Sequence, residues 1–129
     1  DYYTTTKGIL EKVKAHAGDV DFEVQPELLS LFSNRDFGRY ADEKGEMNVC
    51  FISNNDITGG NSGSAMFNSE GELLGLAFDG NWEAMSSDIL YEPKMQRCIG
   101  VDVRYILFMI EKYGKAGNLI RELKIVPAK

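Results

Sequence analysis

Asp56-Ile57-Thr58-Gly59-Gly60-Asn61-Ser62-Gly63-Ser64, running on into Ala65-Met66-Phe67-Asn68 and the turn Ser69-Glu70-Gly71, is the stretch on which the fold turns. The apolar residues on either side of the second turn read as the two strands of a hairpin. The glycines of the first loop accept positive φ and leave room for close approach. Ser62, between Asn61 and Gly63, has two readings. One is an ordinary loop residue, since Gly/Asn/Ser clusters between apolar runs are common turns. The other is a nucleophile, exposed on a tight turn with backbone N–H groups aimed at a developing oxyanion. On that reading Ser62 attacks, and the N–H groups of Gly60 and Ser62 are the oxyanion donors. A phosphate cradle fits less well, because it needs a helix after the glycines and a lysine beside them.

Outward from the loop, residues 47–53 and 72–79 are expected strands, and 87–91 and 96–101 two more, parted by the turn Glu92-Pro93-Lys94. Towards the N-terminus, Ile9, Leu10, Val13 and Ala17 recur at helical spacing over 7–17, with Gly18 as the stop. Pro26 opens a second short helix whose apolar side is Leu28, Leu29, Leu31 and Phe32. Residues 35–48 are polar and read as surface loop. Asp102 is placed to cap a helix carrying Tyr105, Ile106, Phe108, Met109 and Tyr113 up to Gly114, and a shorter helix spans about 118–124. The class is mainly β with flanking helices, a small antiparallel barrel or sandwich. A single domain covers 1–129: a helical lead-in over 1–46, barrel strands over 47–101 and closing helices over 102–124.

The chain of 129 residues carries a net charge of −6, which disfavours a nucleic-acid partner and an anionic lipid surface. No apolar run is long enough to span a membrane. There is no initiating Met and no signal peptide, so the chain is expected to begin inside a longer protein or after processing. Cys50 and Cys98 lie in apolar, strand-like surroundings and read as free thiols in preference to a bridge, a choice the sequence leaves open; their spacing suits no zinc site, and no metal or cofactor is expected.

A serine hydrolase also needs a base and a carboxylate to orient it. The one histidine, His16, lies in the charged helical stretch Lys12-Val13-Lys14-Ala15-His16 and reads as a surface residue. Asp88 and Asp102 have no neighbouring histidine and read as a strand-end acid and a helix cap. Either this is part of an enzyme, with base and acid supplied from elsewhere, or the Ser62 loop is not catalytic.

The loop resembles the Gly-Asp-Ser-Gly-Gly loop of two-barrel, trypsin-like peptidases, whose nucleophile lies in the second barrel and whose His and Asp lie in the first. Asn61 replaces the acidic residue, as is common in bacterial members; a neutral side chain cannot pair with a newly freed α-amine, so activation by N-terminal cleavage is not expected. The resemblance extends through Gly71-Glu72-Leu73-Leu74-Gly75-Leu76-Ala77-Phe78-Asp79-Gly80-Asn81-Trp82-Glu83-Ala84, Gln96-Arg97, Val101-Asp102-Val103-Arg104-Tyr105 and Leu107-Phe108-Met109-Ile110. Over nearly its whole length the chain is similar to the C-terminal catalytic part of the bacterial dipeptidyl peptidase 7 / dipeptidyl peptidase 11 family, serine exopeptidases that remove dipeptides from free N-termini. Ala65 departs from the family, where Pro is frequent.

The resemblance implies a C-terminal barrel half of a chymotrypsin-like double barrel closed by a helix. It implies Ser62 as nucleophile and Gly60 with Ser62 as oxyanion donors. Asp79 would bind the substrate's α-ammonium, although an Asp-Gly pair is also a hairpin signal. Gly80 would line the pocket for the residue before the scissile bond. A basic residue there selects acidic side chains; glycine implies the dipeptidyl peptidase 7 preference for aliphatic or aromatic ones. Trp82 either walls the site or is a buried structural residue. The implied partners are peptide substrates and the N-terminal part of the same polypeptide, which supplies His and Asp, with a homodimer allowed; the implied location is periplasmic or exported. Two other readings stand beside this one: an endopeptidase of the periplasmic heat-shock type, and a catalytically silent barrel used for binding.

Overall fold

The computed structural model describes residues 2–86, 92 and 94–127, so the expected strand over 87–91 and Asp88 lie outside the described residues. The described strands are β1 (Tyr3–Thr5), β2 (Asn48–Ser53), β3 (Ala65–Phe67), β4 (Leu73–Gly80) and β5 (Cys98–Asp102). They form one antiparallel sheet in the order β1-β2-β5-β4-β3. The helices are α1 (Thr6–Ala15), α2 (Pro26–Ser33), α3 (Val103–Phe108) and α4 (Gly117–Arg121).

The expected barrel is not what the described residues build. Closing a sheet requires its two edges to pair, and here the edges, β1 and β3, are three residues each and stand at opposite ends of the order. The sheet is open. β1 itself was not anticipated: Tyr3-Thr4-Thr5 lies inside the stretch read as helical lead-in, and it pairs with Phe51, Cys50 and Asn48 of β2.

Local chemistry sets the helix boundaries. Thr5 caps α1 by accepting the Gly8 N–H at 3.4 Å, and Gly18 takes φ +89° just beyond the C-cap, His16. Pro26 stands at the first turn of α2, where a missing N–H costs nothing. Asp102 caps α3 by accepting the Arg104 N–H at 2.9 Å, and its carboxylate also receives Arg104 Nε and Nη2 at 2.9 and 2.6 Å. This confirms the reading of Asp102 as a cap. After α3 the chain widens into a π-turn over Met109–Tyr113.

The main core sits among the helices. Phe32, Phe37, Tyr40, Met47, Leu107, Phe108 and Ile120 are all buried there, with the Phe108 ring 6.0 Å from those of both Phe32 and Phe37. Three of these residues correct the reading of 35–48 as surface loop. Phe37, Tyr40 and Met47 are spaced among polar neighbours and plug the core, and Ala41 packs against it.

A smaller cluster of Met66, Ala77 and Cys98, joined by Phe51 and Ile57, lies in the sheet beneath the Ser62 loop. Phe51 covers two glycines that lack side chains of their own. A Cβ at Gly75 would stand 2.1 Å from the Val101 carbonyl oxygen and 2.8 Å from Phe51. One at Gly100 would stand 2.6 Å from Met66 Sδ and 3.0 Å from Phe51. Gly75→Ala is therefore expected to destabilise the protein by at least about 1–3 kcal/mol, read as a lower Tm in thermal unfolding; an unchanged Tm would contradict this packing.

Candidate active site

The Ser62 loop enters from β2 and leaves into β3, and β4 pins it. The Gly63 N–H donates to the Ala77 carbonyl at 2.7 Å, and the Ala77 N–H donates to the Ser64 carbonyl at 2.9 Å. Two turns are stacked ahead of these bonds: Asn61 N–H to the Thr58 carbonyl at 3.2 Å, and Ser64 N–H to the Asn61 carbonyl at 2.9 Å. The turns require φ of +95° at Gly60 and +88° at Gly63, the left-handed region where a Cβ is strained. Ser62 is exposed, and its hydroxyl donates to the Phe78 carbonyl at 3.3 Å. Among the described residues, the N–H groups of Gly60 and Ser62 meet no acceptor, so both are available to an incoming oxygen.

β4 brings Asp79 and Gly80 to the same place. In a regular strand Asp79 would share the inward face of Gly75 and Ala77, because alternate residues point the same way. A bulge intervenes: Ala77 pairs with Gly100 and Asp79 with the next residue back, Ile99, leaving Phe78 unpaired as the extra residue. The bulge resets the alternation. Asp79 is consequently exposed while Ala77 is 5% exposed. Asp79 Oδ1 accepts the Gly80 N–H at 2.8 Å, but Asp79 and Gly80 both lie inside β4, paired with Ile99 and Cys98, so the hairpin-turn reading does not hold; the other carboxylate oxygen has no described partner. Ser62 thus bonds to the carbonyl of the residue immediately before Asp79.

The space beside Gly80 is occupied. A Cβ there would lie 2.8 Å from Ala84 Cβ and 3.4 Å from Ile57 Cγ2. The packing of the short 3₁₀ turn Trp82–Ser86 against β4 itself favours glycine at this position. Trp82 is 81% exposed and is not part of the core that the described residues of this chain build.

Asn81, which sequence reading passed over, ties this end of β4 to the segment before β5. Its N–H donates to the Arg97 carbonyl at 3.0 Å, its Nδ2 to the Met95 carbonyl at 2.8 Å, and its Oδ1 accepts the Arg97 N–H at 2.8 Å. The Phe78 carbonyl was likewise missed, since a backbone acceptor exposed by a bulge leaves no mark in side-chain patterns.

His16 is not brought to Ser62. It caps the far end of α1, beyond the edge strand β1, and its ring stacks on Phe22 with centroids 4.0 Å apart. Asp102 is 4% exposed and committed to Arg104 and the α3 cap. Cys50 and Cys98 are free thiols, as expected, and burial pushes both up, which keeps them protonated and poorly nucleophilic. Among the described residues no cluster of three or more His, Cys, Asp or Glu could hold a metal ion, and no helix is long and apolar enough to cross a membrane.

The arrangement therefore carries an exposed serine, two available N–H donors and an outward carboxylate, without a base. Dipeptidyl-peptidase 7 of Porphyromonas gingivalis is 56% identical over 126 residues, 98% of this chain and 17% of that protein. The Asp/Glu-specific dipeptidyl-peptidase of Capnocytophaga gingivalis is 48% identical over 124 residues, 96% of this chain and 17% of that protein. The crystal structure of Porphyromonas endodontalis DPP11 in complex with the dipeptide Arg-Glu superposes with a TM-score of 0.88 at 41% identity, over 94% of this chain and 17% of that one. The chain thus spans about a sixth of the length of these relatives, 17% in each case. The sequence pattern of peptidase S46 matches residues 1–125, the loop, the bulged strand and the closing helices together. On that match the chain belongs to the peptidase S46 family.

Proposed function

We propose that this chain is the nucleophile-bearing part of a serine dipeptidyl peptidase, acting on peptides with a free N-terminus. The observation that carries it is the bond from Ser62 Oγ to the Phe78 carbonyl, which sets the hydroxyl one residue from an outward Asp79 carboxylate. An extended dipeptide spans about 7 Å from its α-ammonium to its scissile carbonyl. The proposal requires Asp79 and Ser62 to stand about that far apart when a substrate is bound. The names of the relatives, dipeptidyl-peptidases over nearly the whole chain, support the same length of product.

In this reading a histidine from the rest of a longer polypeptide, in a first barrel facing this sheet, takes the Ser62 proton, and an aspartate there orients that histidine and stabilises its charged form. The acyl carbonyl oxygen then develops its charge against the Gly60 and Ser62 N–H groups. Export to the periplasm belongs to the same proposal. A fluorophosphonate probe tests it: the full-length protein is expected to label at Ser62, and a folded full-length protein that does not label would leave only a non-enzymatic role. The 129-residue chain by itself is expected to release no dipeptide, because His16 stands apart from Ser62.

For the residue before the scissile bond we propose an aliphatic or aromatic preference. Gly80 carries no charge into the pocket, and identity is higher to the dipeptidyl-peptidase 7 relative, 56%, than to the Asp/Glu-specific one, 48%. Gly80→Arg is expected to move the kcat/KM ratio towards substrates with Asp or Glu at that position by about tenfold or more, through one new charge pair in the cleft. Because a Cβ would press on Ala84, the substitution should be made together with Ala84→Gly. An unchanged ratio in the folded double variant would remove Gly80 from the specificity pocket.

A further inference from the structure

The two limbs of the nucleophile loop are held by different means. The later limb, Gly63 and Ser64, is bonded to Ala77 of β4 as one strand is to another. The earlier limb, Thr58 to Gly60, carries the proposed Gly60 donor on a pair of glycines. A Cβ at Gly59 or at Gly60 would meet nothing within 4 Å, so neither residue is packed on the side where a side chain would stand. Unpacked glycines exchange conformations readily. The hydrogen bonds across this turn both end on Asn61: its N–H donates to the Thr58 carbonyl at 3.2 Å, and its Oδ1 accepts the Thr58 N–H at 2.9 Å. The pair is reciprocal, in the manner of a helix capping box, where backbone and side chain of two residues satisfy each other.

We propose that Asn61 is the positioning residue of the oxyanion loop, its side-chain carbonyl clamping Thr58 so that the Gly60 N–H is held in place before substrate arrives. The inference rests on the serine-peptidase reading given above. In this proposal Asn61 acts through its bonds to Thr58. Its side chain is neutral, so the clamp needs no ionised partner and no cleavage to form it. Loss of Oδ1 leaves one bond across a turn of two free glycines, and the donor then samples other orientations. That penalty falls on the step in which oxyanion charge develops, because ground-state binding does not depend on that donor to the same degree.

The test compares Asn61→Ala with Asn61→Asp in the full-length protein. A carboxylate accepts the Thr58 N–H as the amide oxygen does, and it is ionised at neutral pH. Asn61→Ala is expected to lower kcat by about 10- to 100-fold, short of the complete loss of one oxyanion donor, with fluorophosphonate labelling of Ser62 slowed in parallel. KM should stay within about threefold, as for an interaction made in the transition state alone. Asn61→Asp should recover most of the rate, and Tm should hold in both variants, since Asn61 is exposed. The proposal is overturned if Asn61→Ala keeps the parent's kcat and labelling rate, if the loss appears in KM, if Asn61→Asp is as impaired as Asn61→Ala, or if activity falls only as Tm falls. Failure of the serine-peptidase reading looks different: the unmodified protein would then not label at Ser62 at all.

Discussion

Ser62→Ala in the full-length protein is expected to lower kcat for dipeptide release by about 10⁴- to 10⁶-fold, the range found when a nucleophile that works as one unit with its base is removed. The expected size follows from the absence of a substitute in this chain. Cys98 is 1% exposed and Cys50 half-buried, and burial holds both thiols in the protonated form. Ser64 is exposed as well, but it lies beyond the left-handed Gly63, where its backbone is already running antiparallel to Ala77. Ser64→Ala is therefore the control, expected to stay within about threefold of the parent, as for a side chain outside the reacting unit. The measurement is steady-state release from a chromogenic dipeptide substrate, with Tm of each variant checked. A Ser62→Ala protein retaining more than a hundredth of the parent rate would place the nucleophile elsewhere. A loss of equal size in Ser64→Ala would mean that the loop as a whole, rather than one hydroxyl, had been disturbed.

Where local rules act on neighbouring residues, the fold was legible. Pro26, Asp102 and Gly18 mark helix ends through φ and through hydrogen bonds within a few residues, and all three stand where their chemistry places them. The hairpin of β3 and β4 follows from Asn68-Ser69-Glu70-Gly71, whose turn closes with the Gly71 N–H on the Asn68 carbonyl at 3.1 Å. What failed depends on distant partners. Phe37, Tyr40 and Met47 show no periodicity, and only the presence of Phe32 and Phe108 opposite them makes a core of those residues. Tyr3-Thr4-Thr5 is too short to signal a strand, and β2 is what makes it one. Barrel closure is a statement about two edges meeting, which no single segment encodes.

The site was legible in its residue types and less so in its geometry. Ser62, Gly60, Asp79 and Gly80 were singled out from the chain, and the structure brings the loop and the end of β4 together. Their meeting depends on the unpaired Phe78, since without the bulge Asp79 would follow Ala77 into the sheet's buried face. A bulge is one residue of mismatch between two strands, so it appears only when β4 and β5 are aligned. Gly80 illustrates the converse. Its lack of a side chain was read as an open pocket, whereas Ala84 and Ile57 fill the position that its Cβ would take. Packing and specificity then constrain the same residue, and the paired Ala84→Gly change separates them.

Asp79→Asn separates two roles that Asp79→Ala would merge. The Asp79 carboxylate already accepts the Gly80 N–H at 2.8 Å, a contact that the side-chain carbonyl of asparagine reproduces. What asparagine lacks is the charge. If Asp79 only holds the Gly80 N–H at the end of β4, Asn should function and Ala should not. If it binds the substrate's α-ammonium in a cleft closed by the rest of the polypeptide, both should fail. Breaking such a charge pair costs about 2–5 kcal/mol, or roughly 30- to 4000-fold in kcat/KM on free-amine peptides. The expected result is loss in both variants, with the unmutated protein cleaving free-amine peptides and sparing their N-acetylated counterparts. The pH profile supplies a second reading. A peptide α-amine has a pKa of about 7.7–8.0, so the ammonium is present below that range and lost as pH rises through it. With Asp79 in place, kcat/KM should therefore decline above about pH 8, whereas the residual activity of Asp79→Asn should lack that limb of the profile. Full activity of Asp79→Asn, or equal cleavage of acetylated and free peptides by the unmutated protein, would reduce the carboxylate to its contact with the Gly80 N–H and restore the endopeptidase reading.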